Sequence, residues 1–171
     1  MKTFILVRHT KSSWKDSTLQ DIDRPLKKSK VDDAIRVAAQ LRTLRFQPEL
    51  IISSPAKRAL DTAVIFAKAL SYATDKIKTE NSIYESSEAE LLKAIHQLDK
   101  NLERVMFFGH NPCFENFLQS YTDSEIETLP TTGTVWLEIE TDSWKLSQRN
   151  RAIQRHYLYP KMLRLFDDVE L

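Results

Sequence analysis

Two histidines in this chain stand where chemistry is possible. His9 follows the apolar residues 4–7, and His110 follows the apolar residues 105–108 with Gly109 between. Arg8 precedes His9, and Arg58 lies just beyond a third apolar run at residues 50–52. Two arginines clamp a phosphoryl group through forked, charge-assisted hydrogen bonds. An imidazole with a lone pair attacks phosphorus and becomes transiently phosphorylated. A second imidazole donates to a non-bridging oxygen as charge builds in flight, worth roughly 3–4 kcal/mol by analogy with deleted oxyanion-hole donors. The attacking ring must hold its proton on the other nitrogen, donated to a backbone carbonyl. Which nitrogen attacks is not legible in the sequence.

These residues work together only if the chain folds to bring them together. Residues 4–7, 50–52 and 105–108 read as buried strands, being continuous apolar runs of strand length. Between them lie helical stripes. Val31, Ala34, Ile35, Ala38 and Leu41 share one face of a helix over residues 28–45. Ala59, Ala63, Phe66, Ala67 and Leu70 mark a second, with Ser53 or Ser54 as N-cap and Pro55 in the first turn. Ser87 caps a third, with Leu91, Leu92, Ile95 and Leu98 inward, and a fourth runs through Phe114, Phe117 and Leu118. Residues 11–27 read as a long functional loop and 71–82 as a connection with a short strand near Ile77. Residues 133–147 read as a final strand pair, followed by a basic and aromatic tail. The alternation predicts a single domain over residues 1–171, a three-layer α/β/α sandwich with a mainly parallel sheet. Ligands bind beyond the carboxyl ends of the strands in such sheets. Arg8-His9, Ser53-Ser54 and Gly109-His110 all directly follow predicted strands, so three distant segments converge on one edge.

Composition narrows the chemistry. The 171 residues carry 25 basic and 24 acidic side chains, a net charge of +1, which gives no general pull toward nucleic acid or an anionic membrane. Two glycines, Gly109 and Gly133, are too few for a GxGxxG turn or a GxxxxGK[ST] loop. No His, Cys, Asp or Glu spacing suggests a zinc site. The single Cys113 cannot form an internal disulfide, which points to a reducing compartment. The apolar start is interrupted by Arg8 and His9 after four residues, so it reads as a strand rather than a leader. The expectation is a cytoplasmic monomer acting on a phosphorylated protein or small phosphorylated molecule.

Three motifs, taken together and in order, resemble the histidine phosphatase superfamily. They are Leu6-Val7-Arg8-His9-Thr10, the segment from Ser53-Ser54-Pro55 through Arg58 to Ala63, and Phe108-Gly109-His110-Asn111-Pro112. Thr10 stands where the family usually has glycine. Lys11-Ser12-Ser13-Trp14 and Asp21-Ile22-Asp23-Arg24-Pro25-Leu26 further resemble the SixA-type phosphohistidine phosphatase branch. The resemblance implies a phosphoglycerate mutase-like fold and His9 as the phosphorylated nucleophile. It implies Arg8, Arg58 and His110 as phosphate ligands, with Arg24 as an extra one, and no cofactor. Arg24 has a plainer reading as the ion-pair partner of Asp21 or Asp23.

Phosphate-ester hydrolysis needs an acid for the leaving alkoxide. Esterases of the family supply a carboxylate after the second helix, where this chain has Glu85. The SixA-like branch has a short segment there and no dedicated acid, and imidazole leaves more readily than an alkoxide. Phosphohistidine is therefore the first substrate class, with small phosphate esters as the alternative. A non-catalytic module that docks phosphorylated partners would use the same arginines without needing His9. A Cys-x5-Arg phosphatase is excluded because Gln119 stands where the arginine should be. Asp21-Ile22-Asp23 lacks the buried strand that an Asp-x-Asp phosphatase requires. His96 and His156 read as ordinary residues, and Arg36, Arg42 and Arg45 as solvated. The run Arg149, Arg151, Arg155, Lys161 and Arg164 reads as a solvated face or a dock for an acidic partner.

Overall fold

The computed structural model describes residues 1–168. Six strands form one sheet: β1 (Lys2–Arg8), β2 (Leu50–Ser53), β3 (Lys78–Thr79), β4 (Arg104–Gly109), β5 (Thr134–Ile139) and β6 (Ile153–Leu158). Their order is β3-β2-β4-β1-β5-β6. β1 to β4 are mutually parallel, and β5 runs antiparallel to β1 and β6. Five helices complete the fold: α1 (Val31–Thr43), α2 (Lys57–Ala69), α3 (Glu88–His96), α4 (Cys113–Tyr121) and α5 (Pro160–Asp167).

Side chains alternate across β1 and β4, so each strand feeds both faces. Phe4, Leu6, Val105 and Phe107 join a core closed by α3 and α4 through Leu91, Ile95, Phe114, Phe117 and Leu118. Ile5, Val7, Met106 and Phe108 join the opposite core, closed by α1, α2 and α5. Most of these side chains are fully buried, each worth about 1.5–3 kcal/mol of transfer free energy. The result is the expected three-layer α/β/α sandwich with a mainly parallel sheet. Register places Arg8 beside Gly109 and Ser53 beside Phe108, so three strands end at one level.

The structure corrects three local readings. The inward stripe of α1 is Ala34, Val37, Ala38 and Leu41, while Ile35 is half exposed. Spacing i, i+3, i+4, i+7 holds, but the stripe centres on Val37 rather than Ile35. Neither Ser53 nor Ser54 caps α2, whose N-cap is Ala56 without a side-chain bond. Ser54 Oγ instead accepts from the Ala56 amide at 3.2 Å and turns to His110. The short strand expected near Ile77 is present as β3. The partner of β5 is β6, in the segment read as a tail, not a strand before residue 147. Trp144 and Leu146 are apolar because they plug the core from a loop. The indole Nε1 donates to the carbonyls of Asp99 and Leu102, each at 3.1 Å. Ser87 does cap α3, in a reciprocal box with Glu90.

Candidate active site

A pocket of about 740 Å³ opens at the carboxyl ends of β1, β2 and β4. Arg8, His9, Arg24, Arg58, Glu85 and His110 all line it, so every site residue expected from sequence meets there. The elements explain this placement. Arg8 is the last residue of β1, and His9 is locked to both neighbours of that strand. Its amide donates to the Gly109 carbonyl at 3.1 Å, and its carbonyl accepts from the Thr132 amide at 3.2 Å. His110 follows β4 through Gly109. A β-carbon at Gly109 would lie 2.7 Å from Phe114 Cζ, so glycine is needed for α4 to pack this closely.

The rings of His9 and His110 lie 5.1 Å apart, centre to centre. His9 Nδ1 sits 2.8 Å from the Thr10 carbonyl oxygen. A carbonyl only accepts, so Nδ1 carries the proton and Nε2 of the neutral ring carries the lone pair. This answers the question that sequence left open. Burial pushes His9 down to about 4; the Thr10 bond opposes that, and the nearby arginines reinforce it. Burial likewise pushes His110 down to about 3, helped by His9 and Arg58. Both rings are therefore neutral at neutral pH. His110 Nε2 lies 2.8 Å from Ser54 Oγ.

Three guanidiniums surround the rings. Arg8 Nη1 donates to the Leu129 carbonyl at 2.9 Å, which fixes its plane. Arg58 donates from Nη1 to the Asp21 carbonyl at 2.8 Å and from Nη2 to Asp21 Oδ2 at 3.0 Å. Arg24 donates from Nε and Nη2 to Asp21 Oδ1, at 3.2 and 3.0 Å, and from Nη1 to Ser12 Oγ. Its outer face is covered by the indole of Trp14, 3.5 Å from ring centre to guanidinium carbon. Arg24 thus pairs with Asp21, and it also lines the pocket.

Trp14 and Tyr84 were not assigned a role from sequence, and Asp21 only that of a possible partner for Arg24. Asp21 bridges Arg24, Arg58 and the Tyr84 hydroxyl, which donates to Oδ2 at 2.7 Å. That hydroxyl, then the two arginines, hold its carboxyl down at about 2. Tyr84 also stands edge-on to His110 at 5.7 Å. Trp14 and Asp21 sat inside recognised motifs, but nothing in the spacing pointed from Tyr84 to Asp21, 63 residues away. Glu85 is exposed on the rim, with a left-handed φ of 53° that is unusual for a side-chain-bearing residue.

Few buried polar atoms in native proteins lack a partner, and each exception asks for a reason. Among the described residues four such atoms occur: Arg8 Nε, Arg58 Nε, Asn111 Oδ1 and Gln154 Oε1. The first three belong to residues lining this one pocket. Leaving such a group unpaired costs about 1–3 kcal/mol. No trio of His, Cys, Asp or Glu among the described residues is arranged to hold a metal. No helix among them is long and apolar enough to cross a membrane.

Fold and pocket define an α/β domain whose strand ends present paired imidazoles and guanidiniums to one shared pocket. The model of the histidine phosphatase superfamily (branch 1) matches residues 4–87. An uncharacterized chloroplastic protein of Arabidopsis thaliana is 30% identical over 156 residues, covering 84% of this chain and 69% of that protein. Two solved structures share the fold. The Agrobacterium tumefaciens protein that carries the name SixA superposes with a TM-score of 0.77 at 23% identity, over 93% of this chain and 98% of that one. The protein histidine phosphatase SixA complexed with tungstate gives 0.79 at 15% identity, over 94% and 99%. The chain belongs to the histidine phosphatase superfamily.

Proposed function

We propose that this protein is a phosphatase of the SixA type that removes phosphate from phosphohistidine in proteins through a phosphorylated His9. His9 Nε2 attacks phosphorus, the P–N bond of the substrate breaks, and the leaving imidazole takes a proton from water. Water then attacks the phosphorus on His9, releasing inorganic phosphate and restoring the ring. Arg8, Arg58 and Arg24 hold the non-bridging oxygens, and His110 donates its ring N–H to one of them. The observation that carries this reading is the bare Nε2 of His9 beside two arginines whose buried Nε–H groups lack acceptors.

The test is mass spectrometry of the protein quenched in alkali after mixing with a phosphohistidine-bearing protein. Phosphate on His9, lost in His9→Ala, is the expected result. Phosphate on another residue overturns the assignment, and none at all favours the docking module. The chemistry needs no metal, so turnover should persist in EDTA. The reading also carries the expectation of a cytoplasmic monomer.

The strained rim position of Glu85 favours a second reading, an esterase with Glu85 as general acid. Under the phosphohistidine reading, Glu85→Gln leaves phosphohistidine turnover unchanged. A loss of ~10²-fold on an alkyl phosphate would instead support the ester role.

A further inference from the structure

A second cavity, of about 220 Å³, opens beside the catalytic pocket and shares Lys11 and Thr131 with it as walls. Its other charged residues are Lys30, Lys161, Arg164 and Asp33. They come from three separate places: Lys11 follows β1, Lys30 and Asp33 flank the start of α1, and Lys161 and Arg164 lie on α5. Asp33 is already engaged, with Arg164 Nη1 at 2.6 Å from Oδ1 and Lys30 Nζ at 3.9 Å from Oδ2. Four cations thus face one carboxylate whose charge is shared. Among the described residues, Lys11 and Lys161 form no ion pair at all.

The rest of the basic tail behaves differently. Arg151 donates to the carbonyls of Thr122 and Gln119, and Arg155 bonds Glu138 Oε2 at 2.7 Å. Arg164 also has a partner, Asp33, but that pair lies in the wall of the cavity itself. Lys161 and Arg164 are gathered, with Lys11 and Lys30, at the edge of the phosphate site. Scattered surface lysines are ordinarily just solvated. These line a concavity that shares the Lys11 and Thr131 walls with the pocket where a substrate's phosphoryl group would sit. An anion held there would belong to the same substrate, and its charge would be felt within a Debye length of about 8 Å.

We propose that this second cavity is an anion subsite that reads carboxylates flanking the phosphorylated residue of a protein substrate. The proposal rests on the phosphohistidine reading above and adds which phosphoproteins are preferred. Two exposed ion pairs of ordinary strength give roughly a tenfold preference, which is about 1.4 kcal/mol in total. Such a preference is salt-dependent, because the lysines are exposed.

The test uses two phosphohistidine peptides identical except for two Asp or two Asn beside the phosphorylated residue. The ratio of their kcat/KM values is measured for the intact chain and for Lys161→Glu. The wild-type ratio should be roughly ten in favour of the acidic peptide at low salt, and should collapse near 0.5 M salt. Lys161→Glu should bring it near or below one, and Lys161→Ala should fall between. The same two peptides are titrated onto His9→Ala, which reads their Kd ratio without turnover. A binding preference without turnover would keep the subsite and sink the phosphatase reading. Equal affinities for the two peptides, or a full preference surviving in Lys161→Glu, would overturn the subsite.

Discussion

A histidine among guanidiniums is held neutral by its surroundings, and a neutral ring keeps the lone pair that the proposed attack on phosphorus requires. Burial and the charges of Arg58, Arg8 and Arg24 disfavour a proton on His9 Nε2, while the Thr10 carbonyl keeps Nδ1–H in place. In an NMR titration of the ring protons, His9 should therefore titrate near 4 instead of near 6.5. The same displacement is linked to stability. Between about pH 6.5 and 4 the unfolded chain binds protons at His9 and His110 that the folded chain refuses. Stability is thus full above 6.5 and falls as pH drops through that window. Asp21, with its carboxyl lowered to about 2, adds a further loss below the ordinary carboxylate range. Urea midpoints across pH 7 to 4 would show this slope, and His9→Gln should flatten it.

Among the elements, the junction of β4 with α4 closely constrains the site. Gly109 ends the strand, His110 enters the pocket, and Phe114 packs back over the glycine. Phe114 is fully buried, so it has no room to yield to an added methyl. Gly109→Ala should destabilise the fold by ~1–3 kcal/mol, as overpacked cores do, and should displace His110. The check is a denaturant curve together with kcat on phosphohistidine. Stability lost without any loss of activity would show that the junction does not position His110. The loop of residues 11–27 acts as a second positioning element, because Asp21 ties Arg58 of α2 to Arg24 of the loop itself.

For the molecule as a whole, the sheet joins two cores that no side chain shares. Phe107 and Phe108 are adjacent in β4 and both fully buried, yet they belong to opposite cores. Phe107→Ala and Phe108→Ala should each cost about 3–5 kcal/mol. If the chain is one folding unit, as its alternation of strands and helices suggests, each variant shifts one common unfolding transition. Two transitions, with each variant moving a different one, would contradict a single domain.

The site's membership was legible in sequence because it rests on short-range order. An apolar run followed by Arg8-His9 or by Gly109-His110 identifies a strand and what stands at its end. The strand-end rule then brings those ends together. Periodicity likewise showed where α2, α3 and α4 lie, since burying one stripe of a helix leaves its mark every three to four residues. Other features depend on contacts between residues far apart in the chain, whose side-chain directions no local pattern encodes. Tertiary structure alone showed that Thr10 frees Nε2 of His9, that Tyr84 and Arg58 meet on Asp21, and that β5 pairs across a loop with β6. It also gathered Lys11, Lys30 and two residues of α5 around one hollow. The physical reason is range: strand and helix propensities act over a few residues, whereas hydrogen-bond partners and cavities exist only once the layers have packed.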